Sequence, residues 1–99
     1  VFKVNGSLEI PVQISILLKN NNYDAVIALG CIIKGKTDHY EFIGNAITNS
    51  LLTISVENKI PVSNAVLTCL NLKQATERSS KKLNRARDAV IAAISVLKN

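Results

Sequence analysis

Aromatic residues and histidine are scarce in this 99-residue sequence. Phe and Tyr together make up 4% of it, tryptophan and methionine are absent, and histidine occurs once, as His39. With so few aromatic side chains, the core has to be built from Ile, Leu, Val and Ala. The apolar share of 47% is ordinary for a globular domain.

Cysteine is also rare, occurring only as Cys31 and Cys69, and the two form no CxxC motif. Both lie in apolar stretches, so we predict reduced, buried thiols in a cytoplasmic protein, and neither a disulfide nor a metal site. No apolar run approaches the roughly 20 residues that span a bilayer. No signal-peptide pattern is visible, and we expect no membrane association.

Basic residues outnumber acidic ones by 12 to 7, and the excess is concentrated between residues 73 and 87. The basic residues of that segment are Lys73, Arg78, Lys81, Lys82, Arg85 and Arg87. Such a block is typical of a surface that binds phosphate or nucleic acid, and equally of a solvated helix. It has no interleaved aromatic residues and matches no known motif, which disfavours nucleic acid as a partner.

Strand-like and helix-like segments alternate along the chain. Strands are predicted at residues 1–5, 23–33 and 59–70, and helices at 11–21, 38–56, 71–79 and after Asn84. The second and third strands are apolar throughout, as strands covered on both faces are. This order predicts one domain, residues 1–99, with a parallel sheet in a three-layer α/β/α sandwich. Ligands of such sheets bind beyond the carboxyl ends of the strands.

Polar candidates for a site lie at those strand ends. His39 falls at a predicted helix start, where it is either a base or a surface residue. The loop GKTD before it offers lysine, a hydroxyl and free N–H groups to an anion, or is an ordinary polar loop. Arg78, at a predicted helix end, can bind phosphate, or it is simply a cation that stabilises the helix by interacting with its dipole. Glu9 can accept hydrogen bonds from ligand hydroxyls or face solvent.

Four stretches of the chain resemble the 6,7-dimethyl-8-ribityllumazine synthase family: GSLEIP, YDAVIALGCIIKGKTDHYEFIGN, IPVSNAVLT and QATERSSKKLN. The family carries GAFEIP, YDAVIALGxVIRGxTxHxxxVxNE, VPVxFGVLT and QAxERxGxKxxN in the same order. The resemblance covers practically the whole chain. It implies a flavodoxin-like fold whose first strand and helix are missing here, so we expect an N-terminally incomplete domain.

The resemblance also implies an enzyme, a transferase of riboflavin biosynthesis. The family condenses 5-amino-6-(D-ribitylamino)uracil with 3,4-dihydroxy-2-butanone 4-phosphate: an imine forms, phosphate leaves and the lumazine ring closes. The family uses no metal and no organic cofactor. Its subunits form pentamers or sixty-subunit shells with active sites between neighbours, and an association with riboflavin synthase is a further expectation.

By this resemblance, two triplets of residues surround the ribitylaminouracil. They are Ser7, Leu8 and Glu9, with Glu9 on the ribityl hydroxyls, and Cys31, Ile32 and Ile33, through backbone groups at the pyrimidine edge. Lys36 and Thr37 would meet the butanone phosphate, and Arg78 would pair with its phosphate from the adjacent subunit. His39 would move protons during imine formation and elimination.

Several positions depart from the family pattern. Leu8 replaces a Phe, and Asn64 stands where a Phe packs on the substrate from the neighbouring subunit. The segment from Arg78 onward is one residue short, so either Lys81 or Lys82 matches the loop lysine of the substrate site. The lost aromatic surfaces leave a second interpretation open, a weak or inactive protein that keeps the shell-forming fold.

Overall fold

A computed structural model describes residues 1–35, 39–80 and 84–99 of the chain. Those ranges contain two strands and four α-helices, preceded by a short 3-10 turn at Ser7–Glu9. In chain order they are α1 (Ile10–Asn20), β1 (Val26–Ile33), α2 (His39–Asn58), β2 (Val62–Cys69), α3 (Leu72–Arg78) and α4 (Arg85–Leu97). The four predicted helices and the two later strands are confirmed, with small shifts at their ends.

The two strands pair in parallel, from Val26 opposite Val62 to Ile33 opposite Cys69. Parallel neighbours cannot be joined by a tight turn, and α2 carries the chain from the end of β1 back to the start of β2. The parallel sheet predicted from the sequence is therefore confirmed. Its consequence for the site is that the carboxyl ends of β1 and β2 lie side by side.

The prediction of a strand at residues 1–5 is wrong. In the described ranges this segment pairs with neither β1 nor β2, and Val1 and Phe2 are exposed. Val4 alone of the five packs against the core. An apolar alternating segment becomes a strand only when a neighbour pairs with its N–H and C=O groups, and sequence pattern does not reveal that neighbour.

The main core lies between one face of the sheet and helices α1 and α2. It consists of Ile10, Ile14, Ala28, Ile32, Ile47, Leu51 and Ile54. Ala28 and Ile32 are an even-numbered pair on β1, as expected when alternate strand residues share a face. The aliphatic core predicted from the scarcity of aromatic residues is confirmed.

Helix α4 covers the opposite face of the sheet. Its buried residues Ala89 and Ala93 are small, and so is buried Ala65 on β2. Ala65 points away from the α2 side because its register partner is the odd-numbered Leu29. Helices on both faces of a parallel sheet confirm the three-layer α/β/α arrangement. In the described ranges, no helix is both long and apolar enough to cross a bilayer.

The junction between α2 and β2 is fixed by a serine side chain. After Asn58, Lys59 turns the chain with a φ of 58°, in the left-handed region. Ser55 Oγ then donates to the carbonyl oxygen of Ile60 at 2.6 Å and accepts from the backbone N–H of Val62 at 3.2 Å. The last turn of α2 is thereby tied to the first residue of β2.

Asparagine caps begin the last two helices. The side-chain oxygen of Asn71 accepts the backbone N–H of Gln74 at 2.9 Å, and that of Asn84 accepts the N–H of Arg87 at 3.0 Å. Each bond satisfies an N–H that has no partner inside its helix. Gln74 also accepts the N–H of Leu70 at 2.9 Å, which binds α3 to the end of β2.

Replacing Leu51 by Ala should lower the free energy of unfolding by about 2–5 kcal/mol. Leu51 is 1% exposed, whereas Leu52, next to it on α2, is 63% exposed. Leu52→Ala is therefore a matched control and should change stability by less than about 0.5 kcal/mol. Urea denaturation followed by circular dichroism measures both. Equal losses in the two variants would contradict the burial of Leu51.

A side chain at Gly44 should strain the contact between α2 and β2. A Cβ there would lie 2.7 Å from Thr68 Cγ2. Gly44→Ala should therefore lower the melting temperature, although Ala is the better helix former by about 1 kcal/mol. In a Thr68→Ser background, which lacks that methyl group, the same substitution should raise it. A stabilising Gly44→Ala in the unmodified chain would show that Thr68 moves aside freely.

Candidate active site

The Ser7–Glu9 turn lies at the start of α1 and packs against β1. A Cβ added at Gly30 would come within 3.4 Å of Ser7 Oγ, which places Ser7 directly beside the strand. A Cβ at Gly6 would meet the Glu9 carboxylate at 2.9 Å, so the missing side chain at Gly6 leaves room for Glu9 to fold back. Leu8 is 57% exposed. The turn thus presents a carboxylate and an apolar side chain to solvent.

The end of β1 offers backbone groups at the edge of the sheet that no described strand covers. The N–H groups of Val26 and Lys34 donate to Pro61 and Cys69 of the β2 side, both at 2.9 Å. Backbone groups alternate in direction along a strand, so those of the odd-numbered Cys31 and Ile33 point away from β2. The side chain of Ile32 is buried in the core.

The prediction that both cysteines are buried is half wrong. Both are free, but Cys69 is buried and Cys31 is exposed. The reason is that the face of β1 carrying Cys31 is incompletely covered, as its neighbours Leu29 and Ile33 are also exposed. The Cys31 thiol itself is partly shielded, and this burial raises its pKa; contact with Cys69 raises the pKa further, and the charge of Arg78 lowers it. Cys31 is consequently a neutral thiol at physiological pH.

His39 begins α2 and is exposed. Its ring centroid lies 6.2 Å from that of Phe42, with the planes tilted by 52°. Lys34, at the end of β1, places its Nζ 6.0 Å from the centroid of the Tyr40 ring. The predicted anion-binding residues Lys36 and Thr37 lie outside the described residues, as do Asp38, Lys81 and Lys82.

Arg78 is the last residue of α3, and its guanidinium lies against the carboxyl end of β2. Its Nη1 donates to the carbonyl oxygen of Thr68 at 2.8 Å and to Cys69 Sγ at 3.9 Å. The guanidinium therefore lies at the carboxyl end of β2.

A groove of about 430 Å³ runs beside Arg78 between α2, the end of β2 and α3. It is lined by Tyr40, Glu41, Gly44, Asn45, Thr48, Val66, Thr68, Leu70, Gln74 and Arg78. Its polar lining was not predicted from the sequence. The signal was available only in part: Glu41, Asn45 and Thr48 recur at helical spacing on α2, but nothing in the sequence shows that this stripe faces α3.

Asn64 lies in the first half of β2, away from the strand end. Its amide nitrogen donates to Thr48 Oγ1 at 3.1 Å, and its amide oxygen accepts the N–H of Val66 at 2.9 Å. It thereby joins β2 to the α2 wall of the groove. Its side chain is therefore engaged within the protein.

The predicted residues fall into two groups. Those near the end of β1 are Ser7, Leu8, Glu9, Cys31, Ile32, Ile33 and His39. Arg78 lies against the end of β2, and Asn64 lies nearer the start of the same strand. In the described part of the chain, no three His, Cys, Asp or Glu side chains could hold a metal ion together.

Comparison with known proteins assigns this arrangement to a family. A family model described as 6,7-dimethyl-8-ribityllumazine synthase matches residues 1–99. A protein of that name from Buchnera aphidicola subsp. Baizongia pistaciae is 42% identical over 98 residues, covering 98% of this chain and 62% of the relative. One from Verminephrobacter eiseniae is 44% identical over 80 residues, 81% of this chain and 52% of the relative.

A third relative, from Wigglesworthia glossinidia brevipalpis, bears the same name and is 40% identical over 98 residues, 98% of this chain and 64% of the relative. The chain therefore spans between about half and two thirds of the length of these curated relatives. The family model covers the chain from its first residue to its last, and the identities extend over nearly all of it. The chain belongs to the 6,7-dimethyl-8-ribityllumazine synthase family.

Proposed function

We propose that this chain is the catalytic part of a 6,7-dimethyl-8-ribityllumazine synthase. It would condense 5-amino-6-(D-ribitylamino)uracil with 3,4-dihydroxy-2-butanone 4-phosphate and release phosphate. The observation that carries the proposal is the guanidinium of Arg78, fixed at the carboxyl end of a parallel sheet in a chain that matches this family throughout. Arginine is well suited to a phosphate because its planar fork makes two parallel hydrogen bonds.

The aminouracil would bind beside the end of β1. The outward-pointing backbone groups of Cys31 and Ile33 are suited to the polar edge of a pyrimidine, which needs donors and acceptors in alternation. Glu9 is exposed at the neighbouring turn and would accept hydrogen bonds from the ribityl hydroxyls. The exposed side chain of Leu8 would provide an apolar contact to the ring, without the stacking that a phenylalanine gives.

His39 would transfer protons. Imine formation requires a proton to leave the attacking amine and the carbonyl oxygen to depart as water, and elimination of phosphate requires loss of a carbon-bound proton. An imidazole at the start of α2, directly after the loop with Lys36 and Thr37, is placed to serve these steps. General acid–base catalysis of this kind contributes about 10²–10⁴-fold. Holding both reactants in register contributes on the order of 7–11 kcal/mol.

The complete site would form between neighbouring copies in a pentamer or a sixty-subunit shell. Large apolar side chains exposed on two surfaces support self-association: Leu29 and Ile33 on β1, and Val90, Ile91 and Ile94 on α4. Arg78 would then pair with the phosphate of the butanone phosphate in the active site that it shares with the neighbouring copy. A cytoplasmic location and an association with riboflavin synthase complete the proposal.

The shell-forming protein without catalysis is the less favoured function. The relatives that match bear the enzyme's name, and His39 and Arg78, the residues with assigned chemistry, are both present. Leu8 and Asn64 stand where the family has phenylalanines, and the loss of those aromatic rings would lower the affinity for the pyrimidine. Stacking on an aromatic side chain is worth about 1–3 kcal/mol per base.

Replacing His39 by Gln should reduce lumazine formation by about 10²-fold or more while leaving the fold intact. Glutamine keeps hydrogen-bonding capacity but cannot take up a proton, so the loss reports on proton transfer. The assay is the absorbance of the lumazine formed by the full-length protein from the two substrates. Thr53→Ala, an exposed change elsewhere on α2, is the control and should keep full activity. Absence of product from the unmodified full-length protein would refute the proposed enzyme.

Replacing Arg78 by Gln should raise the KM for the butanone phosphate by roughly tenfold or more, because a charge-assisted pair with phosphate is lost. The KM for the aminouracil should hardly change. Arg78→Lys keeps the charge but not the planar fork. Its KM for the butanone phosphate should therefore lie between those of the unmodified protein and of Arg78→Gln. The matched control is Arg87→Gln, an exposed arginine on α4. An equal rise of KM for both substrates would place Arg78 outside the phosphate site.

A further inference from the structure

One nitrogen of Arg78 is held by the protein while the rest of the guanidinium is left for a ligand. Nη1 carries two N–H groups, and its acceptors are the carbonyl oxygen of Thr68 at 2.8 Å and Cys69 Sγ at 3.9 Å. Within the described ranges, Nε and Nη2 have no protein acceptor. These two nitrogens form the edge that binds two phosphate oxygens at once.

Cys69 is the acceptor that is built most firmly into the fold. It is 1% exposed and is the last residue of β2. Its carbonyl oxygen accepts the N–H of Lys34 at 2.9 Å, which ties its backbone to the end of β1. The sulfur is therefore a fixed point, and an arginine side chain that touches it loses freedom.

That loss of freedom matters because arginine has many rotamers. Ordering a long flexible side chain costs conformational entropy, which weakens binding when the ordering happens only as the ligand binds. If the protein orders it beforehand, that cost is removed from binding. Thr68 contributes through a backbone atom, so among the described side chains Cys69 is the one partner of Arg78 that mutation can remove.

We infer that Cys69 is a positioning residue for phosphate binding: its thiol holds Nη1 of Arg78 and leaves the Nε–Nη2 edge facing the phosphate. The inference rests on the proposed function, in which Arg78 binds the phosphate of the four-carbon substrate. It assigns a role to a buried cysteine that touches neither substrate nor reacting atoms. The role is binding and not proton transfer, so it should appear in affinity for phosphate and in KM.

The test compares Cys69→Ala, which removes the acceptor, with Cys69→Ser, which keeps one, in the full-length protein. The Ala variant should bind inorganic phosphate roughly fivefold more weakly in a calorimetric titration, the size of one modest hydrogen bond. The Ser variant should fall between the Ala variant and the unmodified protein, because its hydroxyl can accept a hydrogen bond but its shorter C–O bond places the oxygen farther from Nη1 than the sulfur. In turnover, the Ala variant should raise the KM for the butanone phosphate by a similar factor with kcat nearly unchanged.

A control separates positioning from a general loosening of β2. Ala65 is buried on the same face of β2 as Cys69, four residues before it, and its side chain has no acceptor to offer Arg78. Ala65→Gly should weaken the strand without changing phosphate affinity. If it weakens phosphate binding as much as Cys69→Ala does, the effect is structural and the inference fails.

The remaining outcomes also decide the question. Phosphate affinity in Cys69→Ala equal to that of the unmodified protein overturns the inference and leaves the proposed enzyme standing. The inference equally fails if the unmodified protein binds no phosphate. A protein that binds phosphate in the predicted order of variants but forms no lumazine sustains the role of Cys69 and refutes the proposed reaction instead.

Discussion

The in-register pairing of two parallel strands is the constraint on which the rest of this structure depends. It sets Ile33 beside Cys69 and so brings together the segments that follow the two strands. Without this pairing, nothing would fix the relative positions of three segments: the turn carrying Glu9, the start of α2 and the end of α3. Apolar contacts hold the helices on either side, but the position of the site follows from the backbone ladder.

Much of the fold could be predicted from the sequence, for physical reasons that apply locally. The apolar runs at β1 and β2 are long enough to be recognised, and Asn71 and Asn84 cap helices through bonds to residues three positions away. The segment at residues 1–5 could not be judged in this way. Its state depends on pairing with a distant strand, and that information is absent from the segment itself.

Candidate site residues could be named from the sequence, but their contacts could not. The family motif named His39 and Arg78 by position, and the alternation of strands and helices placed them at strand ends. Predicting the contacts of Arg78 with Thr68 and Cys69 would have required the angle at which α3 leaves β2. Predicting the exposure of Cys31 would have required knowing which face of β1 remains uncovered. An apolar run in the sequence looks the same whether one face of the strand or both are buried.

The hydroxyl of Ser55 has a consequence at the far end of the sheet. It fixes the N–H of Val62, and from there β2 advances about 3.3 Å with each residue. A slip of one residue at Val62 would turn the side chains of Thr68 and Cys69 each to the other face of the sheet. Arg78 would then meet a different carbonyl group, and a methyl group in place of the Cys69 thiol. The serine that binds the amino end of β2 thus sets the register of the strand, and that register determines which groups meet Arg78 at the carboxyl end.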